Sequence, residues 1–364
     1  MKKTSCLSKK MLMLGVIVCL SLSGQVATAD FVFGEAVHMG PVINGDGKDS
    51  DPSISSDGLE LYFESERSGG YGSKDIWVAT RPTNDAEWES PINLGSNINS
   101  ASHEGAPCLS SDGLSLYYFA YLFGSLDIWV TRRATGNDDW GIPVNITLTS
   151  DIGEQTPSIS FDGLQLFFCD HSQLGSLPGG VGGVDIWTVA RPTISDPWGL
   201  PMNLGQLVNS PYTDRSPSIS ADGLLLFLNS NRSGGLGASD LWVTRRTATD
   251  DAWNVPMNLG PIVNTSFGEG GPCVSADGRT LYFHSVRPGG HGEQDLWQAP
   301  VIPIVDLNAD GFIDAADLCI IVDNWMTDNP LCDVGPMPWG DGIVDVEDLI
   351  VVAEHLFEEF PPGG

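Results

Sequence analysis

The sequence predicts an all-β ring of five four-stranded units, followed by a small helical module that binds calcium. The first observation is a segment of about 55 residues that occurs five times between residues 31 and 300. The second is an unpaired N-terminal piece that matches the part missing from the last repeat. The third is an acidic C-terminal region without Lys or Arg. Together they predict a five-bladed β-propeller over residues 30–300, closed by its N-terminal strand, and a separate module over residues 301–364.

Composition narrows the classes of function. The 364 residues include 17 Lys and Arg against 47 Asp and Glu, a net charge of −30. This charge excludes a nucleic-acid binder, because phosphate contacts need clustered positive charge. It also disfavours anionic membrane surfaces as a partner. Hydrophobic residues make up 41% of the chain, which is enough to form a core.

Residues 1–29 have the features of a cleaved secretory signal peptide. Four lysines precede the apolar run 11–22, and Ala27-Thr28-Ala29 offers a cleavage site. The apolar run is too short to span a bilayer. We therefore predict no integral membrane segment and a secreted protein, either extracellular or periplasmic.

Each repeat contains a phrase like Pro52-Ser-Ile-Ser-Ser-Asp57-Gly58, and an Asp-(Ile or Leu)-Trp strand follows it. The Asp-Gly pairs predict tight two-residue hairpin turns, since both residues tolerate positive φ. They begin at residues 57, 112, 162, 222 and 277. Each repeat thus offers about four strand-sized runs separated by turns, which is typical of one propeller blade.

The two ends of the repeat array predict how the ring closes. Repeat five stops after Trp297 and lacks the second Trp and the Asn-Leu-Gly that end earlier repeats. In the N-terminal piece, Phe33 aligns with that second Trp, and Asn44 aligns with Asn99. We therefore expect the N-terminal strand to complete the last blade, since an open ring would expose unpaired strand edges. A solenoid is the alternative.

The repeats resemble the WD40-like PD40 family of TolB-type propellers. A Ser-x-Asp-Gly turn followed by an aromatic strand, as in Ser55 to Phe63, is the mark of that family. The resemblance covers residues 31 to about 300 and implies the propeller fold. It is also the sole basis for a structural role at the cell envelope. The sialidase Asp-box has a residue between Asp and Gly, which are adjacent here, so no sialidase chemistry is carried over.

An acidic residue stands three positions before the repeated Pro in every repeat. If the following run is the innermost strand, these carboxylates ring one mouth of the central channel, where they could hold a cation, bind sugar hydroxyls or serve as the paired acids of a glycosidase. The alternative is that each accepts hydrogen bonds from a neighbouring blade. Repetition in every blade favours this structural role, because catalysis needs distinct roles for distinct acids. The five are Asp49, Glu104, Glu154, Asp214 and Glu269.

Three arginines each precede an aspartate by eight residues across a hairpin rich in Gly. This spacing predicts an ion pair that orders the hairpin. The pairs are Arg67 with Asp75, Arg232 with Asp240, and Arg287 with Asp295.

Repeats two and three depart from the common pattern at this same hairpin. It is shortened at residues 120–125 and lengthened at residues 170–184. Because a site normally breaks the symmetry of its scaffold, we predict a ligand groove at blades two and three. A drifted surface loop is the alternative. The candidate ligand-binding residues are Tyr121, Phe123, Asp170 and His171.

The C-terminal region contains an EF-hand-like calcium loop. Oxygen ligands fall at alternate loop positions, as a hard cation with about seven ligands requires. The ligands at positions one, three, five, seven, nine and twelve are Asp306, Asn308, Asp310, the Phe312 carbonyl, Asp314 and Asp317.

The pattern recurs about 31 residues later. The second set is Asp341, the Ile343 carbonyl, Asp345 and Asp348. Its positions one and three, Met337 and Trp339, offer no side-chain oxygen, so we expect weaker calcium binding there.

The duplicated loop and helix resemble a type I dockerin, a calcium-dependent module that docks onto a cohesin domain. In that family, loop positions ten and eleven contribute to recognition of the partner. They are Ala315, Ala316, Val346 and Glu347 here, in place of the Ser-Thr pair often found. The resemblance implies calcium as the cofactor and a cohesin-type protein as the partner.

Five cysteines follow the signal peptide, an odd number, so they cannot all pair within the chain. Cys319 and Cys332 are close in sequence in the same module, and we predict a disulfide between them. Cys108 and Cys273 each replace the Ser of a repeated Pro-Ser, so we expect them at equivalent buried positions.

These observations favour a secreted modular protein. Its propeller would recognise a carbohydrate or protein ligand, and its calcium-dependent module would attach it to a partner. The alternative is a glycoside hydrolase or lyase in polysaccharide catabolism, with channel-mouth carboxylates as acid and base. Dockerin-like modules commonly accompany polysaccharide-degrading domains, which keeps this alternative open.

Overall fold

The computed structural model describes residues 31–122, 124–146, 148, 153–171, 177–303, 305–308, 312–327, 332–335 and 343–357. The predicted signal peptide lies outside the described residues. So do three predicted site residues, Phe123, Asp310 and Asp341.

The described chain is mostly β-structure, arranged as five antiparallel sheets that follow one another in sequence. It begins with β1 (Phe31–Phe33), β2 (Val37–His38) and the short helix α1 (Gly40–Ile43). Blade one comprises β3 (Asp49–Ile54), β4 (Glu60–Ser65), β5 (Asp75–Thr80) and β6 (Ile92–Asn93). Blade two comprises β7 (Glu104–Leu109), β8 (Ser115–Leu122), β9 (Ser125–Arg132) and β10 (Val144–Asn145). Blade three comprises β11 (Glu154–Ile159), β12 (Gln165–Asp170), β13 (Ile186–Ala190) and β14 (Met202–Asn203), followed by the short helix α2 (Gly205–Val208). Blade four comprises β15 (Asp214–Ile219), β16 (Leu225–Ser230), β17 (Asp240–Arg245) and β18 (Met257–Asn258). Blade five contains β19 (Glu269–Val274), β20 (Thr280–Ser285) and β21 (Asp295–Pro303), completed by β1 and β2.

The first strand of each blade lies at the centre of a closed ring. Each of β3, β7, β11 and β15 packs against the first strand of the next blade, and β19 packs against β3. The five-bladed propeller predicted from the repeats is therefore confirmed, and the solenoid is excluded because the last repeat meets the first.

The N-terminal strands close this ring as predicted. Strand β1 pairs with the end of β21, with Phe33 opposite Val301, and β2 pairs with its start, with His38 opposite Trp297. The Asn44 side chain bonds both backbone groups of Leu296, at 3.0 and 2.7 Å. Asn99 fixes Ile76 of blade one in the same way, at 2.9 and 2.8 Å.

Hydrophobic side chains from adjacent blades form the core between them. In four blades the second Trp lies under an arginine, as where the Arg81 guanidinium stands 4.3 Å above Trp88. At the closing strand an apolar cluster replaces this stack. Phe31 packs edge-on against Phe33, with ring centroids 5.4 Å apart, and against Phe227 of blade four at 6.5 Å.

The Asp-Gly turns are longer than the two-residue hairpins that we predicted. In blade one the connection runs from Ile54 to Glu60, and of its Asp-Gly pair only Gly58 has a left-handed φ, +75°. The Ser55 hydroxyl donates to the Asp57 carboxylate (2.6 Å), which also accepts the backbone N–H of Leu59 (3.0 Å). These side chains satisfy the polar groups of a wider turn, which explains why Ser and Asp recur.

The C-terminal module contains two similar loop–helix units. Helices α3 (Ala315–Asp323) and α4 (Val346–Glu354) begin after Asp314 and Asp345, and each has a capping box. Ile321 and Val352 belong to their shared core. The predicted apolar face of the first helix is only partly correct, because Val322 and Trp325 are exposed. Within the described residues, no helix is both long and apolar enough to cross a membrane.

Candidate functional site

The five repeated acids begin the innermost strands, but they do not ring the channel as we predicted. Each is at most 1% exposed. Asp214 accepts the backbone N–H and the hydroxyl of Ser210, at 2.5 and 2.7 Å, and pairs with Arg232 at 2.5 Å. Glu269 contacts Thr265 and Arg287 in the same manner. Enclosure in the blade supports the structural role that the sequence analysis favoured over a catalytic one for Asp49, Glu104, Glu154, Asp214 and Glu269.

The arginines also have a different partner from the one that we predicted. Arg67 pairs with Asp49 at 2.7 Å, and its guanidinium lies over the rings of Phe63 and Trp77. Asp75 instead accepts the backbone N–H groups of its own hairpin, from Tyr71 (2.5 Å) and Gly72 (2.9 Å). The repeated acids and the repeated arginines are therefore partners of each other. Blades one, four and five each contain one such buried acid–arginine pair.

A β-bulge in every inner strand places one residue at the central channel. The residue before the repeated Pro has a left-handed φ between +44° and +55° in all five blades. This conformation is costly for residues other than Gly, and strained positions of this kind cluster at functional sites. The residues are Asp51, Ala106, Thr156, Ser216 and Gly271. The channel has a cavity volume of about 50 Å³, room for water but not for a sugar ring.

Deeper in the channel, a ring of hydroxyls and thiols joins neighbouring blades. The Ser53 hydroxyl accepts the N–H of Leu109 (3.1 Å), and the Cys108 sulfur accepts that of Ile159 (3.4 Å). Desolvation raises the pKa of Cys108 to about 12 and that of Cys273 to about 11, so both remain thiols at neutral pH. As predicted, the two cysteines occupy equivalent positions.

At the mouth of the channel, the propeller loses its fivefold symmetry. On the second strand of each blade, one residue pairs with the last residue of the inner strand before the bulge. This residue differs in every blade: it is Glu64, Phe119, Cys169, Asn229 or His284. Three of these residues, Glu64, Asn229 and His284, lie close to four other polar residues at the mouth. We call this group the mouth cluster: Asp51, Glu64, Lys74, His103, Arg215, Asn229 and His284.

Glu64 is the buried anion of the mouth cluster. It contacts Lys74, accepts the Ser50 hydroxyl (2.7 Å) and the Ala106 N–H (3.2 Å), and lies 3.5 Å from His103 Nε2. Burial opposes ionisation, but His103 and Lys74 outweigh it and hold the pKa of Glu64 below its usual range. Glu64 is therefore ionised and already surrounded by partners.

Asp51 and His284 meet across the seam between blades one and five. The Asp51 N–H donates to His284 Nδ1 at 3.3 Å, and the Asp51 carboxylate lies 3.9 Å from the same nitrogen. A Cβ on Gly270 would lie 2.4 Å from His284 Nε2, so only glycine leaves the imidazole room. Burial, with a further contribution from Glu64, raises the pKa of Asp51 to about 7. Burial also lowers the pKa of His284 to about 3, which keeps its imidazole neutral.

Arg215 and Asn229 form the blade-four side of the mouth. The Arg215 side chain is exposed, and its Nε donates to Asn229 Oδ1 at 2.9 Å. The Asn229 amide donates to the Ser239 hydroxyl (3.0 Å) and to the Glu269 carbonyl. The mouth cluster therefore presents a fixed amide and an open guanidinium on blade four, next to the Asp51–His284 contact at the seam of blades five and one.

The groove predicted at blades two and three does not coincide with this cluster. Asp170 is buried and accepts the N–H groups of Asp185 (2.8 Å) and Leu177 (3.3 Å), so its carboxylate is already engaged within its own blade. Tyr121 lies exposed near the end of β8, and His171 directly follows β12. We predicted the groove from differences in hairpin length between the repeats. The signal that would have indicated the mouth cluster was the variation in residue type at the aligned strand positions 64, 119, 169, 229 and 284.

The first predicted calcium loop has one feature that fits a metal. The side-chain oxygen of Asn308 is buried and has no hydrogen-bond partner among the described residues, which omit 309–311, and such oxygens suit a calcium ion. Asp317 is fully buried and accepts N–H groups from Leu307 (2.8 Å) and Asp314 (2.8 Å). Among the described residues, which omit Asp310 and Asp341, no group of three His, Cys, Asp or Glu side chains is arranged to hold a metal. Calcium binding therefore stays a prediction.

The remaining predicted residues of the module lie as follows. The partner-recognition candidates at the two helix starts, Ala315, Ala316, Val346 and Glu347, are all exposed. Asp348 repeats the role of Asp317, since it accepts N–H groups from Gly335 and Asp345. Cys319 lies on the exposed side of α3, while Cys332 is buried in the module core, and the disulfide between them stays a prediction.

No known family model and no curated protein matches the chain. Among solved structures, the putative TolB from Agrobacterium tumefaciens is 17% identical, covering 70% of this chain and 78% of its own, with a TM-score of 0.45. An α-L-arabinofuranosidase from Lactobacillus brevis is 14% identical, covering 72% of this chain and 92% of its own, with a TM-score of 0.49. A GH62 α-L-arabinofuranosidase from Coprinopsis cinerea is 10% identical, covering 74% and 97%, with the same TM-score. Because the sequence identities and TM-scores are this low, no property of these proteins is assigned to this chain.

Proposed function

We propose that the propeller is a recognition domain whose ligand, a carbohydrate, binds at the mouth cluster. The observation that carries this proposal is the loss of symmetry. All five blades share the buried acid and four share a buried asparagine, yet the mouth positions all differ. A scaffold needs no such variation for its own stability, so we attribute it to a ligand.

The same cluster favours recognition over catalysis. A glycosidase flanks its substrate with two accessible carboxylates. Here the Asp51 side chain is 18% exposed, but that of Glu64 is only 3% exposed and is surrounded by Lys74, Ser50 and Ala106. One accessible carboxyl group with polar neighbours suits hydrogen bonding to hydroxyls better than acid–base chemistry.

The matched variants His284→Gln and His291→Gln test the binding site. His284 lies in the mouth cluster, whereas His291 is exposed outside it. We expect the full-length protein to bind at least one member of a polysaccharide array. His284→Gln should weaken that binding by about tenfold, the usual effect of one lost polar contact, and His291→Gln should leave it unchanged. Equal binding by all three proteins, each with an unchanged melting temperature, would place the ligand elsewhere. An array with no bound member would contradict the proposal.

A second candidate function is a glycoside hydrolase, favoured by one observation. Asp51 has a raised pKa and Glu64 a lowered one, and carboxyl groups with divergent pKa values are typical of acid and base pairs. Reducing-sugar release from the polysaccharides of the array would distinguish the two functions. Turnover that Asp51→Asn abolishes would establish the hydrolase, and binding without turnover would favour recognition.

We further propose that the protein is secreted and that its C-terminal module is dockerin-like, binding calcium and attaching the propeller to a cohesin-type partner. Three observations support this: the duplicated loop–helix sequence, the exposed helix starts, and the buried Asn308 oxygen, which has no hydrogen-bond partner in the described part of the module. Asp306, Asn308, Asp314 and Asp317 would hold the ion in the first loop, together with Asp310. Calcium would supply a rigid loop, not a reaction.

Asn308→Ala is expected to weaken calcium binding by about tenfold or more, because it removes one of roughly seven oxygen ligands. The measurement is calorimetric titration of calcium into chelator-treated full-length protein. Asn137→Ala, an exposed change in blade two, is the control and should behave as the wild type. Absence of calcium uptake by the wild type would remove the module from the proposed function.

A further inference from the structure

The open side of the mouth cluster is cationic, although the whole chain carries a net charge of −30. Arg215 is exposed and uses its Nε on Asn229. Among the described residues, its two terminal nitrogens have no acceptor. Lys74, the other lysine or arginine of the cluster, is committed to the buried Glu64. Arg215 is therefore the cation that remains available to an incoming group.

The geometry around Arg215 suits a planar anion. Its Nε contact with Asn229 fixes the guanidinium, and the two remaining nitrogens offer the fork that matches a carboxylate. Asn229 is itself fixed by Ser239 and by the carbonyl of Glu269. A carboxylate bound here would meet an oriented guanidinium and thus lose little side-chain entropy on binding.

The rest of the mouth is suited to hydroxyl groups. The hydroxyl-bearing bulge residues Thr156 of blade three and Ser216 of blade four line the channel entrance. Asp51 and the neutral His284 lie at the adjoining seam of blades five and one and can both donate and accept hydrogen bonds. The channel itself admits water only, so a ligand would lie across the mouth.

We propose that the ligand of the mouth cluster is an acidic saccharide, whose carboxylate binds Arg215 and whose hydroxyls bind the Asp51–His284 side. This inference rests on the proposed recognition function and specifies its ligand. An acidic peptide would satisfy Arg215 equally, but it would bring fewer hydroxyl groups to the Asp51–His284 side.

The acidic saccharide should also bind more tightly at low pH. The groups that face Asp51 are Glu64 from β4, Lys74, His103, Arg215 from β15 and His284 from β20. With a pKa of about 7, Asp51 is mostly neutral at pH 5.5 and ionised at pH 8.5. A sugar carboxylate stays ionised across this range, so ionised Asp51 would repel it. We expect about tenfold weaker binding at pH 8.5, and no such change in Asp51→Asn.

The test is calorimetric titration of the full-length protein with a trimer of galacturonic acid and with its fully methyl-esterified form. We expect the acid to bind about tenfold or more tightly than the ester, as a charge-assisted contact implies. Arg215→Gln should lower the affinity for the acid to that for the ester. Arg132→Gln, an exposed change on blade two, should not.

Several results would overturn the inference: equal affinity for acid and ester, a preference that survives Arg215→Gln, or equally tight, Arg215-dependent binding of a hexaglutamate peptide. Failure of both trimers would also overturn it. That failure would not decide the recognition function, which the polysaccharide array with His284→Gln tests separately.

Discussion

Asp214→Asn is expected to lower the free energy of unfolding by about 3–5 kcal/mol, because it leaves a buried arginine without its counterion. Asp214 is fully buried, and the Arg232 side chain beside it is only 11% exposed. Arg232 also contacts the Val208 carbonyl and lies over the ring of Trp242, so it cannot move into solvent without disturbing the blade. Urea denaturation of the full-length protein measures the change.

Two further variants make this prediction specific. Asp85→Asn, at an exposed loop position, should change stability by less than about 0.5 kcal/mol. The double variant Asp214→Asn with Arg232→Met should regain part of the loss, since it removes both charges. If Asp214→Asn retained full stability but lost ligand binding or turnover, the repeated acids would be functional and our structural assignment would be wrong.

Phe33→Ala should destabilise the propeller by about 3–5 kcal/mol, the usual cost of removing a buried aromatic ring. Phe33 is buried between blades four and five, next to Phe31, on the strand that closes the ring. Among the described residues no arginine lies over the Phe33 ring itself, and Val301 stands opposite it on β21. Loss of the ring would therefore weaken both the core and the strand that covers the edge of β21.

Thermal unfolding and urea denaturation measure this effect, with Phe161→Ala as the matched control. Phe161 is exposed, so its loss should cost less than about 1 kcal/mol. If the two variants were equally stable, the N-terminal strand would not close the ring in solution.

Closure of the ring was predictable from the sequence because it depends on the alignment of repeats. Asn44 and Asn99 make the same two backbone contacts in their blades, so residues that align in the repeats occupy equivalent positions in the structure. The arginine partner was not predictable from spacing along the chain. Strand pairing sets Asp49 opposite Ser65, which brings Arg67, two residues further on, to Asp49 rather than to Asp75.

The mouth cluster was missed for a similar physical reason. Its members are distributed from Asp51 to His284 and meet only because the ring places blade five beside blade one. Each member taken alone is an ordinary polar residue in a strand. Comparison of aligned strand positions across the five repeats would have found the variable position. It would not have found the contact between Asp51 and His284, which crosses the seam.

The most direct test of the proposed recognition site follows the imidazole groups during ligand binding. The chain has six histidines, of which His103 and His284 belong to the mouth cluster. We would label the histidines with ¹⁵N in the full-length protein and titrate in the saccharide that binds most tightly in the array. Our account predicts that the His284 and His103 signals shift with saturation while His291 and His355 do not. Saturable shifts confined to His291 or His355 would contradict it.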